Sequence, residues 1–263
     1  MENLNMANDQ SFPVTRKFSE IQSKPISWLW DKQIAKGRIT IISGDPGLGK
    51  SQITAYMASV VSNGGEWPIE KGTAPLGSVI LLNAEDDPAD TIRPRLEVLE
   101  ANLEKISILT IKTGEIERFF RLDKDIEILE ETLIEIEDVA LVVIDPISAY
   151  LGKTDSYKDS EIRSLLSSLH KIAQEYDVAV VLISHLNKTS ERRALHRVLG
   201  SVGLVAGART VFVVTTDHNN PERRFFLPLK SNITEDKKGF SFSIQKTILD
   251  TGIETSQIAW EKD

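Results

Sequence analysis

Residues 44 to 51 read Gly44-Asp45-Pro46-Gly47-Leu48-Gly49-Lys50-Ser51, a full match to G-x-x-x-x-G-K-[ST]. An apolar β-type run, Arg38 to Ser43, precedes this stretch, and a helical pattern begins at Ser51. The spacing has a physical cause. Glycines let successive backbone N–H groups turn inward around phosphates, the lysine ammonium reaches the outer phosphates, and the hydroxyl ligates a divalent cation. A helix that starts directly after the loop adds a dipole favourable to an anion. Gly44 to Gln52 are therefore the candidate contacts to a nucleoside triphosphate and its Mg2+, with Lys50 on the outer phosphates and Ser51 on the metal.

The rest of the chain bounds what such a site can belong to. With 263 residues it is long enough for one large α/β domain, and nothing resembling a linker divides it. Residues 1–25 are polar, carry Pro13 and Pro25 and lack periodicity, so they read as an arm; residues 26–263 form the domain. Asp and Glu number 39 against 31 Lys and Arg, a net charge of −8, which disfavours a protein that coats nucleic acid or anionic lipid with its whole surface. Any such contact is local. The absence of cysteine excludes disulfides and thiolate-bound zinc, and His170, His185, His196 and His218 lack metal-ligand spacing. No apolar stretch approaches the roughly 20 residues needed to cross a bilayer, and the polar N-terminus lacks a signal-peptide core. A soluble, cytoplasmic protein without a membrane contact is expected.

Apolar runs alternate with helical patterns through the first two thirds of the chain. A helix from Gln52 to Ser62 stops at Asn63-Gly64-Gly65. Ser78 to Asn83 reads as a buried strand, and Asp87-Pro88 as the N-cap of a helix running towards Leu103, kinked or broken at Pro94. A short strand, Ile106 to Lys112, precedes an acidic helix marked by Ile126, Leu129, Leu133 and Ile136. Val139 to Ile144 is a third core strand, Glu161 to Glu175 an amphipathic helix, and Val178 to Ile183 a fourth strand. These continuous apolar strands predict a mainly parallel sheet with helices on both faces. After Ala208, segments at Thr210 to Val214, Phe225 to Leu229, Phe240 to Gln245 and Ser256 to Trp260 have no long helix between them and predict an antiparallel extension of that sheet.

Ligands of open α/β sheets lie beyond the carboxyl ends of the strands. The third strand ends at Asp145, where a carboxylate orders Mg2+ and its water shell. The second ends in Asn83-Ala84-Glu85-Asp86-Asp87; Glu85 is the candidate general base for the attacking water, while Asp86 or Asp87 caps the next helix. The alternative is that all three acids cap and solvate. His185 closes the fourth strand, placed either to sense the terminal phosphate or as a satisfied structural side chain. The segment 186–199 holds Lys188, Arg192, Arg193 and Arg197 against one acid, Glu191. It suits single-stranded DNA backbone contact, or else an ordinary solvated loop or subunit contact. Arg209 and Lys230 are candidates for a cation supplied across a subunit interface. Trp28 and Trp30 either stack near the base or, as the favoured use, pack under the sheet.

Taken in order, Trp28-Leu29-Trp30, Lys36-Gly37-Arg38, the 44–51 loop, Ala84-Glu85-Asp86-Asp87, Val143-Ile144-Asp145-Pro146, Ser184-His185, Gly200 to Gly203 and Ala208-Arg209 resemble the RepA-like branch of the RecA superfamily over about residues 26–245. The resemblance implies a RecA-like P-loop core that hydrolyses ATP with Mg2+. It implies that Lys50 and Ser51 bind phosphate and Mg2+, and that Asp145 is the Walker B acid. Glu85 becomes the catalytic base, His185 the phosphate-sensing and DNA-coupling residue, and Arg209 the finger reaching a neighbour's ATP. It further implies a ring, usually hexameric, whose segments Ser148 to Asp159 and Leu186 to Gly200 face the channel. Related ring helicases often carry a second cation two residues after the lysine, whereas Lys230 is followed by Ser231 and Asn232. The resulting expectation is a replicative DNA helicase or ATPase acting on single-stranded DNA. The alternatives are a KaiC-like regulatory ATPase acting on protein partners, or a non-catalytic nucleotide-gated assembly module.

Overall fold

A computed structural model of the protein describes residues 13–69, 72–152, 154, 158–186, 202–236 and 238–261. Ahead of the phosphate loop, β1 (Trp28–Trp30) and β2 (Ile34–Ala35) pair as a small hairpin. Then come β3 (Ile39–Gly44), β4 (Ser78–Asn83) and β5 (Ile106–Ile108), a second hairpin of β6 (Ile111–Thr113) and β7 (Ile116–Arg118), and β8 (Val139–Asp145) and β9 (Ala179–His185). The chain closes with β10 (Thr210–Thr216), β11 (Arg224–Ser231), β12 (Phe240–Ile248) and β13 (Glu254–Trp260). Among the described residues, nine of these strands form one sheet in the order β13-β12-β11-β10-β3-β9-β8-β4-β5. The six strands from β10 to β5 run parallel, and β11 to β13 are antiparallel.

The continuous apolar runs follow from burial on both faces. Alternate residues separate cleanly. Ile39, Ile41, Val142, Ile144, Val180 and Leu182 point to one face, where α3 (Ile126–Ile136) and α5 (Asp159–Glu175) pack through Leu129, Leu133, Leu165 and Leu169. Ile42, Val79, Leu141, Val143, Val181 and Ile183 point to the other, against Ile53, Met57 and Val61 of α1 (Lys50–Asn63). Helix α1 stops where expected. Gly64 adopts φ +59°, its N–H donates to Val61 O at 3.2 Å, and Gly65 N–H donates to Val60 O at 2.8 Å.

Trp30 packs under the sheet, fully buried, and stacks on Trp67 with ring centroids 4.8 Å apart and planes 5° apart. Phe226, Phe240 and Trp260 surround it, so the β1–β2 hairpin seals the base of the antiparallel strands.

Three boundaries differ from the sequence reading. The helix expected to run towards Leu103 is a π-type turn, Pro88–Ile92, followed by α2 (Arg93–Val98), because Pro94 lacks the N–H that would continue an even ladder. The expected strand Ile106 to Lys112 is divided between β5 of the main sheet and β6 of the hairpin. The first C-terminal strand, β10, runs parallel to β3, so the antiparallel extension begins at β11. A short helix, α4 (Ile147–Tyr150), follows β8, and α6 (Val202–Gly207) leads into β10.

Candidate active site

The cradle begins where β3 ends. A Cβ on Gly44 would lie 2.7 Å from Val214 O, so only glycine lets β10 come this close. Gly47 and Gly49 take φ +76° and +88°, turning the loop back on itself before α1. Lys50 is buried, and its Nζ donates to Gly44 O at 3.0 Å and Asp45 O at 2.9 Å. Burial lowers its pKa, against the opposing charges of Asp145, Glu85 and Asp45.

Parallel pairing of β4 with β8 sets Asn83 opposite Asp145. Asp145 Oδ2 accepts a 2.7 Å bond from Ser51 Oγ, bringing together the two residues expected at the metal. Burial pushes the Asp145 carboxyl up to about 6; Glu85 and Asp86 push the same way, and Ser51 and Lys50 oppose them. No group of three or more His, Cys, Asp or Glu among the described residues can hold a metal ion alone. One hydroxyl and one carboxylate suit Mg2+, which keeps water and phosphate oxygens in its shell. The donor set fits the expected ion.

Asn83 Oδ1 accepts the N–H groups of Glu85 at 3.1 Å and Asp86 at 2.8 Å, bending the chain so that successive acids diverge. Glu85 Oε1 lies 3.4 Å from His185 Nε2, because β9 sits beside β3 with His185 opposite Gly44. Asp86 pairs with Arg95 at 2.6 Å, and Asp87 caps the following turn by accepting from Ala89 N–H at 2.7 Å and Asp90 N–H at 3.1 Å. The capping expected of Asp86 or Asp87 falls to Asp87.

Sequence reasoning missed the far wall. The Gln52 amide meets Ser256 Oγ at 2.8 Å, and a Cβ on Gly49 would lie 2.6 Å from Ile244 Cδ1, so β12 and β13 lean on the loop. Together these groups enclose a polar cleft of about 340 Å³ bounded by Lys50, Glu85, Asp145, His185, Arg95 and Ser256. The one available signal was for Arg95, a cation eight to ten residues beyond the acid cluster on the next helix. Ser256 and Ile244 carried none, since only long-range packing brings them in.

Two expected cations lie elsewhere. Arg209 directly precedes β10 and Lys230 lies on β11 opposite Val211, both at the end of the sheet remote from the phosphate loop. Lys230 Nζ is engaged by carbonyl groups, donating to Val205 O at 2.7 Å and Ala208 O at 2.8 Å. Lys188, Arg192, Arg193 and Arg197 lie outside the described residues, as does part of the Ser148 to Asp159 segment.

The AAA domain family matches residues 9–191 of the chain. The DNA repair protein RadA of Campylobacter jejuni is 25% identical over 158 residues, which cover 59% of this chain and 30% of RadA. The chain thus spans less than a third of that relative. The DNA repair and recombination protein RadB of Methanobrevibacter smithii is 26% identical over 230 residues, covering 84% of this chain and 91% of RadB. A KaiC-like protein from Pyrococcus horikoshii has a similar structure, with a TM-score of 0.59 at 18% identity over 89% of this chain and 100% of that one. None of the described helices is long and apolar enough to cross a membrane.

Proposed function

The chain belongs to the AAA domain family with a RecA-like P-loop ATPase fold, and from that premise we propose that it hydrolyses ATP between the subunits of a homo-oligomeric ring, using the cycle to move on or remodel single-stranded DNA. The observation that carries the catalytic part is the pair of acids at adjoining strand ends. Asp145 bonds Ser51, and Glu85 stands over the same cleft beside His185.

The loop amides and Lys50 would hold the outer phosphates, and Ser51 and Asp145 would hold Mg2+, which would supply positive charge against the charge that develops in phosphoryl transfer. Glu85 orients a water and takes its proton as the water oxygen bonds to the γ-phosphorus and the bond to the ADP oxygen breaks. The more than half exposed Glu85 side chain has the access to solvent that this requires, at 55%. His185 ties the position of Glu85 to the end of β9 and so to the segment that follows it.

The DNA part finds support in the names of the two DNA repair relatives and in the positive segment 186–199, with Lys188, Arg192, Arg193 and Arg197 as backbone contacts. The RepA-like branch and a hexamer are the specific forms of this reading, with Arg209 exposed at the far end of the sheet as the finger reaching a neighbour's ATP. Particle mass measured with and without Mg·ATP and an oligonucleotide tests assembly, and ATPase rate with single-stranded DNA tests coupling. A rate indifferent to DNA, with unchanged DNA affinity in an Arg192→Ala, Arg193→Ala variant at low salt, would turn the reading to a regulatory ATPase acting on protein partners.

A further inference from the structure

Arg95 reaches two walls of the cleft at once. Its Nη1 donates to Asp86 Oδ2 at 2.6 Å. Its Nε donates to the Gln52 amide oxygen at 3.2 Å; that oxygen also accepts from Ser256 Oγ at 2.8 Å, and the amide nitrogen donates to Ser256 O at 3.1 Å. The reverse amide orientation would set N–H donors against one another, so the bonding pattern selects this one. Ser51, the chain neighbour of Gln52, is the residue bonded to Asp145. One guanidinium therefore ties the acid loop after β4 to the first turn of α1 and, through Gln52, to β13.

An irregular turn delivers Arg95 to this position. Asp87 O accepts from Thr91 N–H at 3.2 Å and from Ile92 N–H at 3.0 Å, the second bond being the wider i→i+5 step that adds a residue to the turn. Pro94 and Leu96 on either side are buried, which anchors α2. Arg95 and Asp86 are consequently only 22% and 28% exposed, whereas Arg93 pairs with Glu97 at the surface.

Asp86 stands where a loose carboxylate would interfere. With Ser51 and Asp145 it lines a small cavity of about 30 Å³, room for one water, and it lines the larger cleft beside Glu85. Without a partner it would compete for a divalent cation or for the attacking water. Asn83 Oδ1 accepts the N–H groups of both Glu85 and Asp86, so displacement of one acid shifts the other.

We propose that Arg95 is a positioning residue for hydrolysis: it holds Asp86 away from the metal position and fastens the 85–87 loop to the phosphate loop, so that Glu85 alone addresses the terminal phosphate. The inference rests on the ATPase reading above and deepens it by naming what aims the general base. Arginine suits the task because its planar fork serves two acceptors at fixed angles, which a lysine ammonium does not.

The test uses the full chain without DNA, as the parent, Arg95→Gln, Arg95→Lys, Asp86→Asn and the double variant Arg95→Gln, Asp86→Asn. Phosphate release at saturating Mg·ATP is measured beside equilibrium binding of a non-hydrolysable ATP analogue. Arg95→Gln should lose about tenfold or more in turnover, on the scale of a catalytic group misplaced by about an ångström, with nucleotide affinity within about threefold of the parent. Arg95→Lys, which keeps the charge opposite Asp86, should recover part of that loss. Because the arginine acts through Asp86, the double variant should lose no more than Arg95→Gln alone. Parental turnover in Arg95→Gln, losses that multiply in the double variant, or affinity that falls as far as turnover would each overturn the inference while leaving the ATPase reading standing; the last would put Arg95 on the nucleotide itself. If Arg95→Gln does not fold, Asp86→Asn decides: reduced turnover at retained affinity upholds the inference, and parental turnover overturns it. A parent that releases no phosphate overturns both.

Discussion

The two ends of the central sheet are electrostatic opposites. At the carboxyl ends of β3, β4 and β8, Asp145 and Glu85 stand over the buried ammonium of Lys50, and Asp86 is paired with Arg95 on the same cleft. At the amino ends of β3 and β10, Arg38 and Arg209 face no carboxylate among the described residues. A six-residue parallel strand holds these ends about 20 Å apart, more than twice the screening length of about 8 Å at physiological ionic strength. In the ring proposed above, head-to-tail copies would bring the two ends together, the heterologous contact that closes rings.

The hardest blow to this polarity is Arg209→Ala. It should cut turnover by about 10³-fold or more while nucleotide affinity, measured by equilibrium binding, changes less than threefold; an equal loss of both would mean that the arginine serves its own fold. Glu85→Gln attacks the acidic end and should cost about 10² to 10³ in turnover with nucleotide still retained, read by phosphate release beside a binding isotherm. Gly49→Ala probes the wall between the loop and β12. The left-handed φ and the 2.6 Å approach of Ile244 Cδ1 predict a loss of about 2 kcal/mol in thermal unfolding of the nucleotide-free chain. The mildest change, Lys36→Ala, sharpens the contrast by removing a cation from the basic end that is already satisfied by Asp177. It should alter stability by no more than about 0.5 kcal/mol and leave turnover at the parental rate, whereas Arg209→Ala does not.

Much of the acidic end was legible in the chain because local signals coincide there. An apolar run followed directly by Gly44 to Ser51, by Asp145 or by Glu85 states both a strand and the group at its carboxyl tip. The other end was not legible, because Arg209 and Ile39 are far apart in the numbering and are joined only by the β3–β10 pairing, where the Arg209 N–H donates to Ile39 O at 3.0 Å. Lys230 illustrates the limit well: spacing marked it as a candidate finger, and only the carbonyl groups of Val205 and Ala208 reveal what its ammonium does. Pro94 announced a break, but the π-type turn and the early end of α2 at Val98 depend on how the Asp87 cap and that proline divide the ladder. The direction of β10 was hidden for a similar reason. β10 lies inside the sheet between β3 and β11, and its apolar run reads the same whichever way its neighbours point.

The lean of β13 on the phosphate loop has a consequence for how the molecule comes into being. Gln52 and Ser256 are 204 positions apart, so a nascent chain has synthesised the whole loop, α1 and both acids long before the last side of the cleft exists. Until β12 emerges, Gly49 lacks the Ile244 contact that backs it, and until β13 follows, Gln52 lacks Ser256. Vectorial synthesis therefore delays a finished nucleotide grip, and with it premature engagement of unfinished chains, until nearly all of the domain has left the ribosome.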